Sequence, residues 1–249
     1  GVVVTTMDGL MDHLLPLQYL KEQAITVTSG QVIDLNVWRQ RLTAMGYERM
    51  AQVDGMGQFS IRGGIIDIFP LTEEVPLRIE LWDDEVDSIR TFDLESQRSV
   101  EQLDFVTIYP AAEVVLDKNQ LETGTSRLEK EAKTYGKALR EQHKPEEAHR
   151  IATQVSELKE QLLEFQSKIN LEGYIRYFYE NTVTMPELLS DMAGRSLVFY
   201  IDEPARVKEQ ADAIELEFRE SMEQRARKGY VLPGQMNILY SGEQVAATL

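Results

Sequence analysis

Residues 57–70 read GQFSIRGGIIDIFP, an alternation of apolar and polar residues that contains an arginine followed by two glycines. Alternation with a period of two is typical of a β-strand with one buried face, so Phe59 and Ile61 are expected to point into a core. A glycine inside such a strand often marks a β-bulge, which shifts the parity by one residue. We therefore predict a bulge at Gly63–Gly64.

The predicted bulge decides which residues of this segment lie outside. With it, Ile66 and Ile68 return to the core face, and Arg62 shares the outer face with Asp67. Without it, Arg62 would share a face with the two isoleucines, where a buried guanidinium would need a partner. The glycine pair is thus expected to let an arginine stand outside an apolar strand.

Several short runs with the same period surround this segment and predict an antiparallel sheet at 47–53, 58–69, 76–82, 85–92 and 105–109. Within Leu77–Trp82, the alternation places one face at Leu77, Ile79 and Leu81 and the other at Arg78, Glu80 and Trp82. Arginine and tryptophan are the residue types that most often dominate protein–protein binding energy. Arg62, Arg78 and Trp82 are therefore candidate partner-binding residues. The alternative is that Arg78 pairs with a surface acid and Trp82 rests against a neighbouring helix.

The flanking sequence predicts other elements. Strands are expected at Val2–Thr5, Ala24–Thr28 and 196–203, and an amphipathic helix is expected from Asp34 to Met45, ending at Gly46. After Ala111 the sequence becomes helical, with a capping box at Asp117 and Gln120, a helix start at Pro145 and a long helix after Glu203. The second of these helices carries an apolar seam at Ile151, Val155, Leu158, Leu162, Phe165 and Ile169.

The composition limits the classes of function. The chain has 249 residues, with 42 acidic and 26 basic side chains and a net charge of −16. Such a charge repels phosphate backbones, so direct nucleic-acid binding is not expected; the acidity serves solubility or attracts a basic partner surface. No cysteine is present and the three histidines are scattered, so disulfides and metal sites are not expected. Neither a signal peptide nor a membrane span is visible, and a cytoplasmic location is expected.

The predicted strand 196–203 is apolar and ends in Asp202 and Glu203, as a Walker B segment does when it presents a carboxylate to a magnesium-bound nucleotide. However, the chain contains neither a G-x-x-x-x-G-K-[ST] phosphate loop nor a G-x-G-x-x-G motif. We therefore expect no nucleotide chemistry from these two acids.

The segment from Arg62 to Arg98, RGGIIDIFP…PLRIELWDDEVDSIRTFD…QR, closely resembles the UvrB-like N-terminal module of the bacterial transcription-repair coupling factor (Mfd) family. The likeness extends over nearly the whole chain, and its sharpest part is R-G-x-[IL]-[IL]-D-[IL]-F-P followed by D-D-E-[IV]-D-S-[IL]-R. The excision-repair protein UvrB shares the R-G-x-x-[IL]-D-[IL]-F-P core.

The resemblance implies an α+β fold: an antiparallel sheet domain with packed helices, joined to a mostly helical remnant of a degenerate helicase-like α/β lobe. It implies three parts, namely the end of domain 1a (residues 1–23), domain 2 (24–110) and domain 1b (111–249). In that family domain 2 binds UvrA, and the family positions that contact UvrA fall on Arg62, Arg78 and Trp82; relatives often have Phe at the last. Reversal of either arginine charge is expected to weaken UvrA binding with little effect on folding.

The resemblance also implies that this chain is a non-catalytic adaptor without a cofactor. The ATP and magnesium of the parent, an ATP-dependent DNA translocase, would belong to motor domains outside it, as would the contacts with RNA polymerase and DNA. A C-terminal domain of the parent is expected to mask the UvrA-binding surface until RNA polymerase is engaged.

Two other classes remain open, a fragment of the UvrB ATPase and a purely structural spacer. UvrB ends the strand 196–203 in D-E-S-H, whereas this chain has Asp202-Glu203-Pro204-Ala205, a departure that favours the coupling factor.

Overall fold

The computed structural model of the chain describes residues 1–164, 171–194 and 197–249. These residues divide into two compact units. We call residues 18–115 the sheet unit, and residues 1–17, 116–164 and the described residues from 171 to 249 the helical unit. The helices are α1 Met7–Met11, α2 Leu17–Gln23, α3 Leu35–Ala44, α4 Lys118–Glu141, α5 Pro145–Glu164, α6 Ile175–Phe178, α7 Met185–Ala193, α8 Pro204–Arg227 and α9 Gly242–Ala246. The strands are β1 Ile25–Thr28, β2 Glu48–Arg49, β3 Gln58–Arg62, β4 Ile65–Ile68, β5 Leu77–Trp82, β6 Glu85–Phe92, β7 Ser99–Leu103 and β8 Phe105–Ile108.

The sheet unit contains a six-stranded sheet in the order β2-β3-β4-β5-β6-β7 and a two-stranded sheet of β1 and β8. Every pair is antiparallel except β2 with β3, which is parallel. The chain thus has the predicted α+β class, with an antiparallel sheet and packed helices. Strand β7 was not predicted, because Ser99–Leu103 is a mostly exposed strand without an apolar alternation.

The core of the sheet unit lies between the inner face of the large sheet, the small sheet and α3. Trp38 and Leu42 of α3 pack onto this face, as the spacing of the helix predicted. Asp34 caps α3 by accepting hydrogen bonds from the backbone N–H groups of Asn36 and Val37. The members contributed by the two sheets are Ile25, Val27, Phe59, Ile66, Ile68, Leu77, Ile79, Val86, Ile89, Val106 and Ile108.

The GQFSIRGGIIDIFP segment forms a β-hairpin, so the predicted bulged single strand is wrong. Strands β3 and β4 pair with Phe59 opposite Ile68, and Gly63–Gly64 is the two-residue turn between them. Gly63 has φ of 58°, in the left-handed region that glycine adopts without steric cost. Gly64 lies so close to the Leu81 carbonyl that a Cβ there would stand 2.9 Å from its oxygen.

The predicted division of this segment into faces is nevertheless confirmed. Residues that are directly opposite in a hairpin share a face, and Ile61 lies opposite Ile66 on the core side. Ser60 lies opposite Asp67 on the other side, which we call the outer face. A hairpin turn and a bulge both restore the parity, so they give the same faces by different routes.

The helical unit is built on α4 and α5, which pack against each other through the predicted seam. Its described residues Ile151, Val155, Leu158 and Leu162 are buried, whereas Phe165 and Ile169 lie outside the described residues. The predicted capping box is present: Asp117 accepts from the backbone N–H of Gln120, whose side chain accepts from that of Asp117.

Two predicted strands of the helical unit do not form. Val2–Thr5 has no strand geometry, and Val2 and Val4 are almost fully exposed. The described part of the segment 196–203, residues 197–203, is also not a strand, and Val198 and Tyr200 are almost fully exposed. Both segments have the β-branched and aromatic composition of strands, but β-structure requires a paired neighbour, and no described strand pairs with them. The predicted domain boundaries after residues 23 and 110 stay predictions.

Candidate partner-binding site

The outer face of the large sheet carries a band of charged side chains. The strand register aligns Ser60, Asp67, Arg78, Arg90 and Gln102 in one row across β3 to β7. A second row contains Arg62, Ile65, Glu80 and Ser88. The structure therefore brings the predicted residues Arg62 and Arg78 together on this face, with two acids between and beside them.

Asp67 is the centre of this band. Its side chain is 0% exposed and accepts from Arg78 Nε at 2.6 Å, from Arg78 Nη2 at 3.0 Å and from Arg62 Nη2 at 2.7 Å. One carboxylate thus holds two guanidiniums, and it balances the charge of only one of them. The sequence pattern placed Asp67 on this face but gave no sign of its complete burial.

Arg78 is largely buried, with 12% of its side chain exposed. Besides the two bonds to Asp67, its Nη1 donates to the carbonyl of Gln97 at 3.0 Å, and its guanidinium lies 4.6 Å from the centre of the Phe92 ring. The hydrogen bonds to Asp67 raise the pKa of Arg78 above its ordinary value. Phe92 belongs with Val53 and Phe69 to a small apolar cluster separate from the main core.

The burial of Arg78 changes one expectation from the sequence. A glutamate in its place would set a second carboxylate against the buried Asp67, so the charge reversal is expected to affect folding as well as binding. Arg62 differs, since 47% of its side chain is exposed and it makes one bond to Asp67.

Trp82 ends β5 on the same face as Arg78 and Glu80, and 82% of it is exposed. It therefore does not rest against a helix, which was the alternative role for this side chain. Its cross-strand neighbour is Glu85, which also bridges to the exposed Val32. An indole exposed to this extent at the end of a strand is available for contact with another molecule.

Two further charged residues lie on the outer face: Glu80, which the alternation of Leu77–Trp82 placed there, and Arg90, which the sequence reasoning passed over. Glu80 accepts from Ser88 Oγ at 2.8 Å and stands 4.0 Å from Arg90 Nε. The signal that could have found Arg90 is its position at the end of the DDEVDSIR motif, on a strand adjacent to β5.

The remaining chemical candidates show no assembled site. Asp202 and Glu203 follow an exposed, non-strand segment, and Glu203 is the residue before α8, with φ of 48°. Within residues 1–164, 171–194 and 197–249, no group of three or more His, Asp or Glu side chains is placed to hold a metal ion. No helix in these same ranges is long and apolar enough to cross a membrane.

One protein-family model matches most of the sheet unit. The model of a family described as the UvrB interaction domain matches residues 25–113. Residues 25–113 are thus similar to the UvrB interaction domain. The matched region contains all of the outer-face residues described above, and the match confirms the resemblance stated from the RGGIIDIFP and DDEVDSIR motifs.

Curated relatives match almost the whole chain. A transcription-repair-coupling factor of Bacillus subtilis (strain 168) is 34% identical over 231 residues, which are 93% of this chain and 19% of that protein. Those of Staphylococcus haemolyticus (strain JCSC1435) and Staphylococcus epidermidis (strain ATCC 12228) are 31% and 32% identical, over 97% and 94% of this chain. The matched residues are 20% and 19% of the lengths of these two proteins. The chain spans about a fifth of the length of the curated relatives it matches.

Proposed function

We propose that this chain is a non-catalytic adaptor module of a transcription-repair coupling factor, and that its UvrB interaction domain recruits UvrA through the outer face of the large sheet. Arg62, Arg78 and Trp82 are the proposed contact residues. The ATP-dependent translocase motor and the contacts with RNA polymerase and DNA would belong to other parts of the parent, which would act in the cytoplasm. No cofactor is assigned to this chain.

The observation that carries the proposal is the exposed Trp82 on the same face of the sheet as Arg62 and Arg78, which share the single carboxylate of Asp67. An indole buries roughly 150–250 Å² when it enters a pocket. At about 25 cal/mol per Å², this area gives an upper estimate of about 4–6 kcal/mol. Arg62 lies on the same face, and about half of its side chain is exposed. It can therefore add a charge-assisted hydrogen bond to a carboxylate of the partner.

The relatives and the family description support the same partner. The domain matched at residues 25–113 is described as an interaction domain, and relatives that match nearly all of this chain are named transcription-repair-coupling factors. Together with the family resemblance, these names favour UvrA over an unrelated acidic protein. A surface on UvrA with an apolar pocket and nearby acids would complement Trp82 and Arg62.

Titration of UvrA with the 249-residue chain by calorimetry tests this proposal. Trp82→Ala is expected to lose about 2 kcal/mol or more of binding free energy, roughly 30-fold in Kd, and Arg62→Ala about tenfold. Arg39→Ala is the control, because Arg39 lies on α3, which packs on the opposite face of the sheet. Absence of binding by the wild-type chain, or an equal loss in the control, would reject the proposal. ATP turnover by the purified chain would reject its non-catalytic part.

A further inference from the structure

Arg90 ends the DDEVDSIR motif of residues 83–90 and has no part in the function proposed above. It lies on β6, facing outward, with Arg78 opposite on β5 and Gln102 opposite on β7. About 40% of its side chain is exposed. It therefore continues the outer-face row beyond Arg78, toward the exposed edge strand.

The guanidinium of Arg90 is poorly satisfied by the residues around it. Its Nε is buried and makes no hydrogen bond with any residue that the structure describes. The carboxylate of Glu80 stands 4.0 Å from it, which is too far for a hydrogen bond, and the same Glu80 oxygen already accepts from Ser88. The buried Nε itself is out of reach of a partner, but the exposed part of the guanidinium can donate to an external carboxylate, which would also compensate its charge.

The neighbours of Arg90 add a second reason for an external acid. Arg78 lies directly opposite, and like charges in directly opposed positions destabilise a sheet. The two rows together contain three guanidiniums and two carboxylates, and one of these carboxylates, Asp67, already binds both Arg62 and Arg78. Arg90 is left with the weakest compensation of the three.

We propose that Arg90 is a further contact residue of the UvrA-binding surface and receives an Asp or Glu side chain of UvrA. This inference rests on the proposed function and extends its surface from β5 across β6. The acceptor is a protein carboxylate, because the net charge of −16 repels the other common anion of this setting, the phosphate backbone of nucleic acid.

The test compares Arg90→Ala and Arg90→Gln with wild type in titrations of UvrA by the 249-residue chain at two salt concentrations. Each variant is expected to raise Kd at least tenfold and to reduce the salt dependence of binding, since one ion pair is lost. Arg39→Ala is a matched control: Arg39 Nε is also buried without a described hydrogen-bond partner, but it lies on α3 at the opposite face. Its Kd is expected to stay within twofold of wild type.

The outcomes separate this inference from the proposed function. If the wild-type chain binds UvrA and Trp82→Ala weakens binding while both Arg90 variants stay within twofold, the role of Arg90 is refuted and the proposed function stands. If the wild-type chain does not bind UvrA, both fail. The fluorescence of the buried Trp38 shows whether a variant is folded. If Arg90→Ala does not fold, the longer side chain of Arg90→Gln decides. Tighter binding of a DNA duplex than of UvrA, lost in both Arg90 variants, would also overturn the carboxylate assignment.

Discussion

Replacement of Asp67 by Asn removes the charge at the centre of the outer face with little change in shape. The wild-type carboxylate is fully buried and accepts three N–H bonds from Arg62 and Arg78. In the variant, a nearly buried guanidinium at position 78 loses its counter-charge. Loss of one partner of a buried ion pair typically costs about 3–5 kcal/mol. Because Arg62 is half exposed and keeps its hydration, we expect the lower end, about 3 kcal/mol in the free energy of unfolding.

The chain offers a local probe for this measurement. It has two tryptophans, both in the sheet unit, and Trp38 is buried in the core whereas Trp82 is exposed. In a Trp82→Phe background, the fluorescence of Trp38 therefore reports unfolding of the sheet unit in urea. Linear extrapolation gives the free energy of unfolding, and an unchanged m-value would show that the denatured state is not altered.

Asp87→Asn is the matched control for Asp67→Asn. Asp87 is an exposed carboxylate on β6 of the same sheet, and it makes no ion pair with a residue in the described ranges. Its replacement is expected to change stability by no more than about 0.5 kcal/mol. If Asp67→Asn falls within that same margin, the buried carboxylate does not stabilise the two arginines and the reasoning above is refuted.

Three further predictions concern the helical unit. Gly124→Ala should destabilise it by about 1–3 kcal/mol in urea unfolding followed by circular dichroism at 222 nm, because a Cβ at 124 would overlap the Phe178 ring; stabilisation, as helix propensity alone predicts, would contradict this. Asp117→Ala should cost about 1 kcal/mol in the same assay, and Asp117→Asn less, since it keeps the acceptor for Gln120 N–H; equal stability of all three proteins would argue against the cap. Burial lowers the pKa of His13 from 6.5 to about 4, so the unfolded state binds more protons between these values and stability should fall as the pH drops through this range. Unfolding of wild type and His13→Gln at pH 7 and pH 5 checks this, and an equal pH dependence of the two would be the contrary result.

Much of the fold could be predicted from local patterns because the responsible interactions are local. The cap of α4 at Asp117 needs only Gln120 three residues later, and the seam of α5 needs only its own periodicity. Residues 197–203 show the limit of such patterns. Their composition is that of a strand, but the ladder that would stabilise a strand depends on neighbours that no local pattern specifies.

The sequence predicted which residues lie at the candidate site, but it did not predict the hydrogen bonds and ion pairs between them. The alternation in β5 placed Arg78 and Trp82 on one face, which the structure confirms. The alternation in residues 57–70 could not distinguish a bulge from a hairpin turn at Gly63–Gly64, because both return the isoleucines that follow to the core face. Nor could the alternation reveal that Asp67 is buried, since the Arg78 side chain that binds it comes from another strand and lies against the Phe92 ring of a third.

Burial of Asp67 gives the two arginines different roles on the proposed surface. An arginine side chain carries about 2 kcal/mol of rotamer entropy, part of which is lost when a partner fixes it. Arg78 has lost it on folding, because Asp67, the Gln97 carbonyl and the Phe92 ring hold its guanidinium on several sides. It therefore supplies a fixed positive charge, while the half-exposed Arg62 keeps free donors for a partner. Without the Asp67 carboxylate between them, the guanidiniums of Arg62 and Arg78 would repel each other. The buried acid therefore allows two arginines to lie close together on one face.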